Sequence, residues 1–369
     1  MGSTIRHWVF RCVLLCALVA GLFAPPAHAL ERAGTEFKIY QFPSDRIPRI
    51  DGATDDWDIV PPEYSIGIDQ LADTVRGKGT NYNRVDLDVR VRVGWVKGMN
   101  QLYFLYEASD NYWDFARRDL HNDIFELVVD GDLSGGPFIK HRHPFLKNPE
   151  EAHTSFHGVH AQNYHIFTPA EGKDWAMVWG CQPWIKELPY ANAVCRYNFR
   201  PGQSGKLVLE FWVTPFDHAA AEGPARSVVT SLAENKRIGM SWAVLDYDDV
   251  DAKDYTGFWN LSHKTTMYGD ASDLCVFRLM PLLPSLQKPV DARWTFRVVD
   301  PVRRTVAFLD QSTTHVTRWS WDFGDGTKST EQNPVHAYGQ DGEYIVTLEV
   351  ESAAGSARHT KIWDVTIAP

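Results

Sequence analysis

Between positions 141 and 198 the chain concentrates side chains that can move protons and grip a polar ligand. His141, His143, His153, His157, His160 and His165 crowd one stretch, and Trp175, Trp179, Arg196 and Asn198 follow. Read as a strand, 159–167 places His160, Gln162 and Tyr164 on one face and Asn163 and His165 on the other. A row of His, Gln and Tyr is poor core material, because buried polar groups need partners. It is good site material: Gln and Tyr hydrogen-bond hydroxyl groups, and imidazole transfers protons near neutral pH. The same alternation pairs Trp175 with Trp179 and Arg196 with Asn198. An indole platform beside a guanidinium able to hold a carboxylate through two hydrogen bonds suits a uronate-containing glycan. The competing reading makes the tryptophans core and the histidines solvated loop residues.

Two functions of these residues stay open. If they only bind, Gln162, Asn163, Trp175, Trp179, Arg196 and Asn198 form the substrate-binding set. If they also cleave, a polysaccharide lyase fits. His160 and Tyr164 would transfer the protons of β-elimination, and Arg196, Asn163 or a bound cation would neutralise the substrate carboxylate; ulvan is one such polymer. A glycoside hydrolase needs two carboxylates flanking a cleft, and nothing in the spacing pairs Glu126 with Glu210. His153 and His157 are one helical turn apart, but zinc needs three or four converging ligands and no His-Glu-x-x-His is present.

Asp130-Gly-Asp-Leu-Ser-Gly-Gly136 resembles the first half of a calcium loop, with oxygens at Asp130, Asp132 and Ser134 and a glycine at the sixth position. The twelfth position is His141, so this is no EF-hand, and calcium and a plain acidic turn both remain open. A second acidic loop, 246–254, reads as solvated. Cys181 and Cys195 are the natural disulfide pair across a short loop in an exported chain; the alternative is that these and Cys275 are buried free thiols.

Export itself is read from residues 1–29. Arg6 and Arg11 precede the apolar run Val13 to Phe23 and the Ala27-His28-Ala29 cleavage signal. The run is too short to span a bilayer, and no later segment approaches it. The expectation is therefore a secreted protein, extracellular or periplasmic, with no membrane span. A net charge of −10 argues against nucleic acid, whose affinity rests on neutralising phosphates. It leaves room for an anionic polysaccharide held at a local basic site.

The elements that must position these residues are strands. Leu87, Val89, Val91 and Val93 alternate with Asp88, Arg90 and Arg92, the period of a half-buried strand. Segments 102–107, 123–130, 164–168, 175–180, 206–213, 240–246 and 273–279 read the same way. Helical periodicity is scarce, with 219–236 as the place for a short helix. Residues 30–49 read as an extended lead-in, and the prolines of 281–289 favour a stiff linker. The fold class is all-β: a large antiparallel β-sandwich followed by a small immunoglobulin-like β-sandwich. The domains are expected at 30–280 and 293–369, with 281–292 between them.

Trp319-Ser-Trp-Asp-Phe-Gly-Asp-Gly326, then Asn333-Pro334, His336, Tyr338 and Gly342-Glu-Tyr-Ile-Val-Thr-Leu348, resemble the PKD repeat. That implies a spacer or adhesion module. Ile50-Asp51-Gly52 with Asp55, Asp56 and Trp57, the strand at Leu102 ending near Asp110, and Asn122-Asp-Ile-Phe-Glu-Leu-Val-Val-Asp130 resemble the family-nine carbohydrate-binding modules and their DOMON-like relatives. Residues 140–200 depart from that pattern. The relatives also suggest a haem-binding electron-transfer protein, which would need an axial pair such as His with Met177 or Met240.

Overall fold

The structure, a computed structural model, describes residues 30–170, 172–287, 289–313 and 315–367. The expected leader, 1–29, lies outside them. The chain is all-β, as its alternating patterns predict.

The larger unit is built from two facing sheets. The first runs in order through Ala176–Val178, Gln162–Phe167, Ile124–Asp130, Arg237–Asp246 and Cys275–Leu279. The second runs through Leu87–Val96, Leu102–Asp110, Gly205–Val213 and Ala191–Tyr197. Neighbours within each sheet are antiparallel. The lead-in is not a passive extension. Its strand Glu36–Phe42 pairs parallel with Cys275–Leu279 over its first half and parallel with Leu87–Val96 over its second, and so passes from one sheet to the other.

Leu87, Val89, Val91 and Val93 point into the space between the sheets, where they meet Phe104, Tyr106, Phe125, Phe211 and Trp242. Phe104 stacks on Phe211 at 4.6 Å. Trp57, Trp95, Trp113, Trp242, Trp294 and Trp321 are fully buried, so much of the tryptophan content is core.

Each sheet also has a covered outer face. On the second, Ile47, Ile50, Trp57, Val60 and Tyr64 pack over Tyr103, Leu105 and Trp212. Glu210 anchors this cover. Its carboxylate accepts hydrogen bonds from the Asp51 and Gly52 amides (3.1 and 3.0 Å) and from Trp57 Nε1 (2.9 Å), which ties Ile50-Asp51-Gly52 and Trp57 to one acceptor. Gly52 has φ +74°, and a Cβ there would lie 2.6 Å from Arg196 Cγ. On the first sheet, Phe138, Ile139, Met267, Ala271 and Leu274 pack over Ile124, Val128, Ala243 and Leu245.

Among the described residues the α-helix is Pro149–Phe156, not a segment of 219–236. The Asn148 side chain accepts from Glu150 N, Pro149 opens the first turn, and Glu150 and Glu151 face the helix N-terminus. In 219–236, Gly223-Pro224 stops any helix. Only the short 3-10 turn Pro224–Arg226 forms, followed by Val228–Val229 pairing with Phe216–His218.

The smaller unit joins a three-stranded sheet (Trp294–Asp300, Thr305–Asp310, Val335–Ala337) to a four-stranded one (Lys328–Ser329, Val316–Asp322, Gly342–Ser352, Gly355–Ile367). Trp321, Val346 and Leu348 are in its core with Trp294 and Phe308. Trp319 is only half buried and donates to Asp310 Oδ2 at 2.7 Å. Val290 and Ala292 also belong to this core. Gly324, at φ +80°, is required twice over, because a Cβ there would come within 2.5 Å of Ile345 O.

Candidate functional site

The predicted row of His160, Gln162 and Tyr164 does not form. The strand begins only at Gln162, and Gly158 at φ +76° turns the chain before it, so alternation does not reach back to His160. The His160 ring lies near Phe138 and Phe156, and burial lowers its pKa. Tyr164 is wholly inside the sandwich, where burial raises its phenol pKa well above the usual value. Gln162 faces inward as well and is spent on the main chain: Nε2 donates to Phe216 O and Oε1 accepts from Phe216 N, both at 3.0 Å.

The predicted tryptophan and cysteine pairs also separate. The strand between the two tryptophans is only Ala176–Val178. Trp175 packs against the inner core, with Nε1 donating to Lys186 O at 3.1 Å, while Trp179 joins the outer cluster. Arg196 and Asn198 are exposed, with Arg196 on the outer face of the other sheet. Cys181 and Cys195 are not bonded; both are free thiols. Cys181 Sγ lies against Thr154 O and His157 O near the helix end. Cys195 faces the inner core, and burial pushes its thiol up to about 12.

The Asp130 loop closes on itself. Asp130 accepts from Gly135 N at 2.9 Å and Asp132 from Ser134 N at 3.0 Å, and burial pushes Asp130 up to about 7. Met177 is directly opposite His165 on neighbouring strands, so the two cannot clamp a haem from opposite sides; Met240 is core. Glu126 and Glu210 lie on different sheets.

What the fold does assemble lies on the outer face of the first sheet. Glu126 pairs across from His165, and Asn163 lies one step along the same strand face. Glu126 Oε1 accepts from Asn163 Nδ2 at 2.8 Å and faces His165 Nε2 at 3.3 Å, and Asn163 Nδ2 also reaches Tyr268 O at 3.2 Å. All three side chains are at least nine-tenths buried. Yet Asn163 Oδ1 and His165 Nδ1 have no partner. Beside them Trp179 stacks on Tyr268 (5.3 Å, 26°) and meets His165 at 5.9 Å and His157 at 5.4 Å. Both stacked rings are partly buried. This cluster, called the slot below, has a buried polar floor whose unpartnered atoms are closed to solvent, beside an aromatic pair. The sequence signal for its floor was Glu126, a charge between Ile124 and Val128 on an otherwise apolar face. No spacing connects Trp179 with Tyr268.

A second cluster closes one end of the sandwich. Asp110 ends a strand of the second sheet, Asp123 precedes a strand of the first, and Asp246 ends another strand of the first. Ligand oxygens of the three lie within 4.8 Å of one another, and Asp86, Asp246 and Asp248 form an adjoining group. Asp110, Asp123 and Asp246 are 4%, 2% and 1% exposed, so Asp246 does not belong to a solvated loop. Asp123 accepts from Tyr247 N and Asp114 N. Asp110 Oδ2, both oxygens of Asp246 and Asp248 Oδ1 have no hydrogen-bond partner. Burial, then mutual repulsion, pushes Asp110 up to about 8 and Asp246 to about 7, and raises Asp123 well above the carboxylate range. Converging buried carboxylates with spare oxygens suit a hard divalent cation.

The family model described as PKD domain matches residues 289–367. The C-terminal segment is a PKD domain. The PKD1 domain of the Vibrio cholerae metalloprotease PrtV is 32% identical over 19% of this chain and 88% of that one, with a TM-score of 0.18. Collagenase ColA of Bacillus cereus is 49% identical over 49 residues, 13% of this chain; the match spans only 5% of the collagenase. A family-nine carbohydrate-binding module of Caldicellulosiruptor kristjanssonii, solved with cellotriose, covers 69% of this chain and 98% of its own at 10% identity and a TM-score of 0.43. Beyond the PKD domain's hydrophobic core, its acidic turn is held internally: Asp322 accepts from Gly324 N, and Asp325 from Thr327 N and His336 Nε2.

Proposed function

We propose that the large β-sandwich of a secreted protein binds a carbohydrate through the slot of Glu126, Asn163, His165, Trp179 and Tyr268, with the PKD domain as its spacer or adhesion module. The observation that carries this reading is the unspent pair of buried atoms, Asn163 Oδ1 and His165 Nδ1, beside the Trp179–Tyr268 stack. Sugar hydroxyls both donate and accept, so they can satisfy an amide oxygen and an imidazole nitrogen together, while a ring face covers the pyranose C–H surface. Asp110, Asp123 and Asp246 would hold a calcium-class cation that fixes the end of the sandwich beyond the slot. Binding is favoured over β-elimination because His160 and Tyr164 occupy separate environments and Tyr164 is inside the core.

Affinity electrophoresis of the full chain against a panel of neutral and uronate-bearing polysaccharides tests this. Retardation by at least one neutral polymer, lost in Glu126→Gln and in Tyr268→Ala, is expected, with no unsaturated uronate released into solution from the acidic ones. Undiminished retardation of both variants would remove the slot from the account. Release of unsaturated uronate would restore the lyase.

A further inference from the structure

The cover on the second sheet is incomplete. Segment 47–64 shields the rows of Leu105, Glu210 and Trp212, but the next rows carry outward-facing polar side chains. Strand register sets Arg196, Val208, Glu107 and Arg90 side by side across four strands, with Lys206 two residues from Val208 on the same face. Arg196, Lys206 and Arg90 are exposed. We propose that this bare half-face is a docking surface for an acidic polysaccharide, whose carboxylate or sulfate groups pair with Arg196, Lys206 and Arg90.

Charge carries the inference. The face's acids are already paired: Glu107 with Arg92 at 2.9 Å and Asp88 with Arg84 at 2.5 Å. Among the described residues, Arg196, Lys206 and Arg90 have no carboxylate within 4.0 Å. They are three uncompensated cations on a chain of net charge −10. Arg196 is also held in place. Its aliphatic stem lies on the Gly52 main chain, close enough that a Cβ would be 2.6 Å from Cγ, and Glu210 fixes the Gly52 amide. Restricting a long side chain has an entropic cost, here without any internal partner for the guanidinium, so its natural acceptor is external.

The row from Arg196 to Arg90 spans three strand spacings, about 14 Å. A sparse row on a flat face suits an extended polymer with spaced charges. Nucleic acid fits less well: its charge density, one per about 1.7 Å of duplex, calls for dense neutralisation, and single strands call for stacking rings, which these rows lack. The face is on the other sheet from the slot, so either site can fail without the other.

The test uses the full chain with polygalacturonate, dextran sulfate, uncharged dextran and duplex DNA, each as wild type and as the triple variant Arg196→Gln, Lys206→Gln, Arg90→Gln. Binding to at least one acidic polymer is expected, and which one distinguishes carboxylate from sulfate. The triple variant should lose roughly tenfold or more, at up to about fivefold per exposed charge. Wild-type binding should vanish near 1 M salt, where the screening length falls to about 3 Å. Retention of any neutral glucan at the slot should not change in the triple variant, and Glu126→Gln should leave acidic-polymer binding intact. No binding to either acidic polymer, wild-type affinity in the triple variant, or equal retention of DNA would overturn the proposal.

Discussion

Asp110 and Asp246 end strands that belong to opposite sheets, yet their carboxylates converge within ligand distance of one another. Both are buried and both hold their protons far above the usual carboxylate pKa of about 4. The native state without a cation therefore keeps protons that the unfolded chain has released. Its stability should fall as pH climbs from about 4 through the raised values near 7 and 8, and level off above them.

A bound dication takes the place of those protons. Calcium at a hundredfold excess over its dissociation constant should add about 2.7 kcal/mol, or roughly 5–10 °C in melting temperature for a domain of this size. Calorimetry with calcium and with chelator should show this gap narrowing toward pH 5 and widening toward pH 8. A gap that does not change with pH would dissociate the effect from these aspartates. Asp246→Asn should abolish the gap.

In the slot, Glu126→Gln replaces a carboxylate that orders Asn163 and His165. A hydrogen bond to a charged group contributes about 1.5–3 kcal/mol, so the variant should lose stability of that order in chemical denaturation, and saccharide affinity measured by titration calorimetry should fall as Asn163 and His165 lose their anchor. Trp175→Ala, in the inner core, should also lower stability.

Glu210 is the acceptor for three buried donors. Glu210→Gln turns an amide group toward at least one of them and should cost about 1–3 kcal/mol in chemical denaturation. Gly52→Ala should also destabilise, because the site combines φ +74° with direct contact by Arg196.

A chain of residues 30–369 should titrate three thiols when unfolded, because Cys181, Cys195 and Cys275 are all free, and its native melting temperature should not respond to reductant. In the folded protein Cys181 should react first. Cys195 and Cys275, both pushed up to about 12 by burial, should resist modification.

The strands were legible wherever one side of the sheet is apolar: Leu87 to Val93 announced both their element and their inward face. So was the PKD domain, whose Gly324 and Trp321 are demanded by a turn and a core. The site was less legible, for two reasons. Alternation holds only inside a strand, so two residues of non-strand chain were enough to detach His160 from Tyr164. Trp179 with Tyr268, and Asp110 with Asp123 and Asp246, meet through sheet pairing and loops across long sequence separations. Residue type marked Glu126 as unusual, but only the fold shows which residues surround it.

Strand Glu36–Phe42 pairs with Cys275–Leu279 before crossing to the sheet of Leu87–Val96. The domain's earliest segment therefore has no complete place until its latest one exists. Emerging from a ribosome, the chain would hold two half-built sheets with no seam between them, and closure would be deferred until synthesis of the domain is nearly finished. Pairings this distant in sequence are slow to form, so the seam between the two sheets is the last part of the sandwich to close.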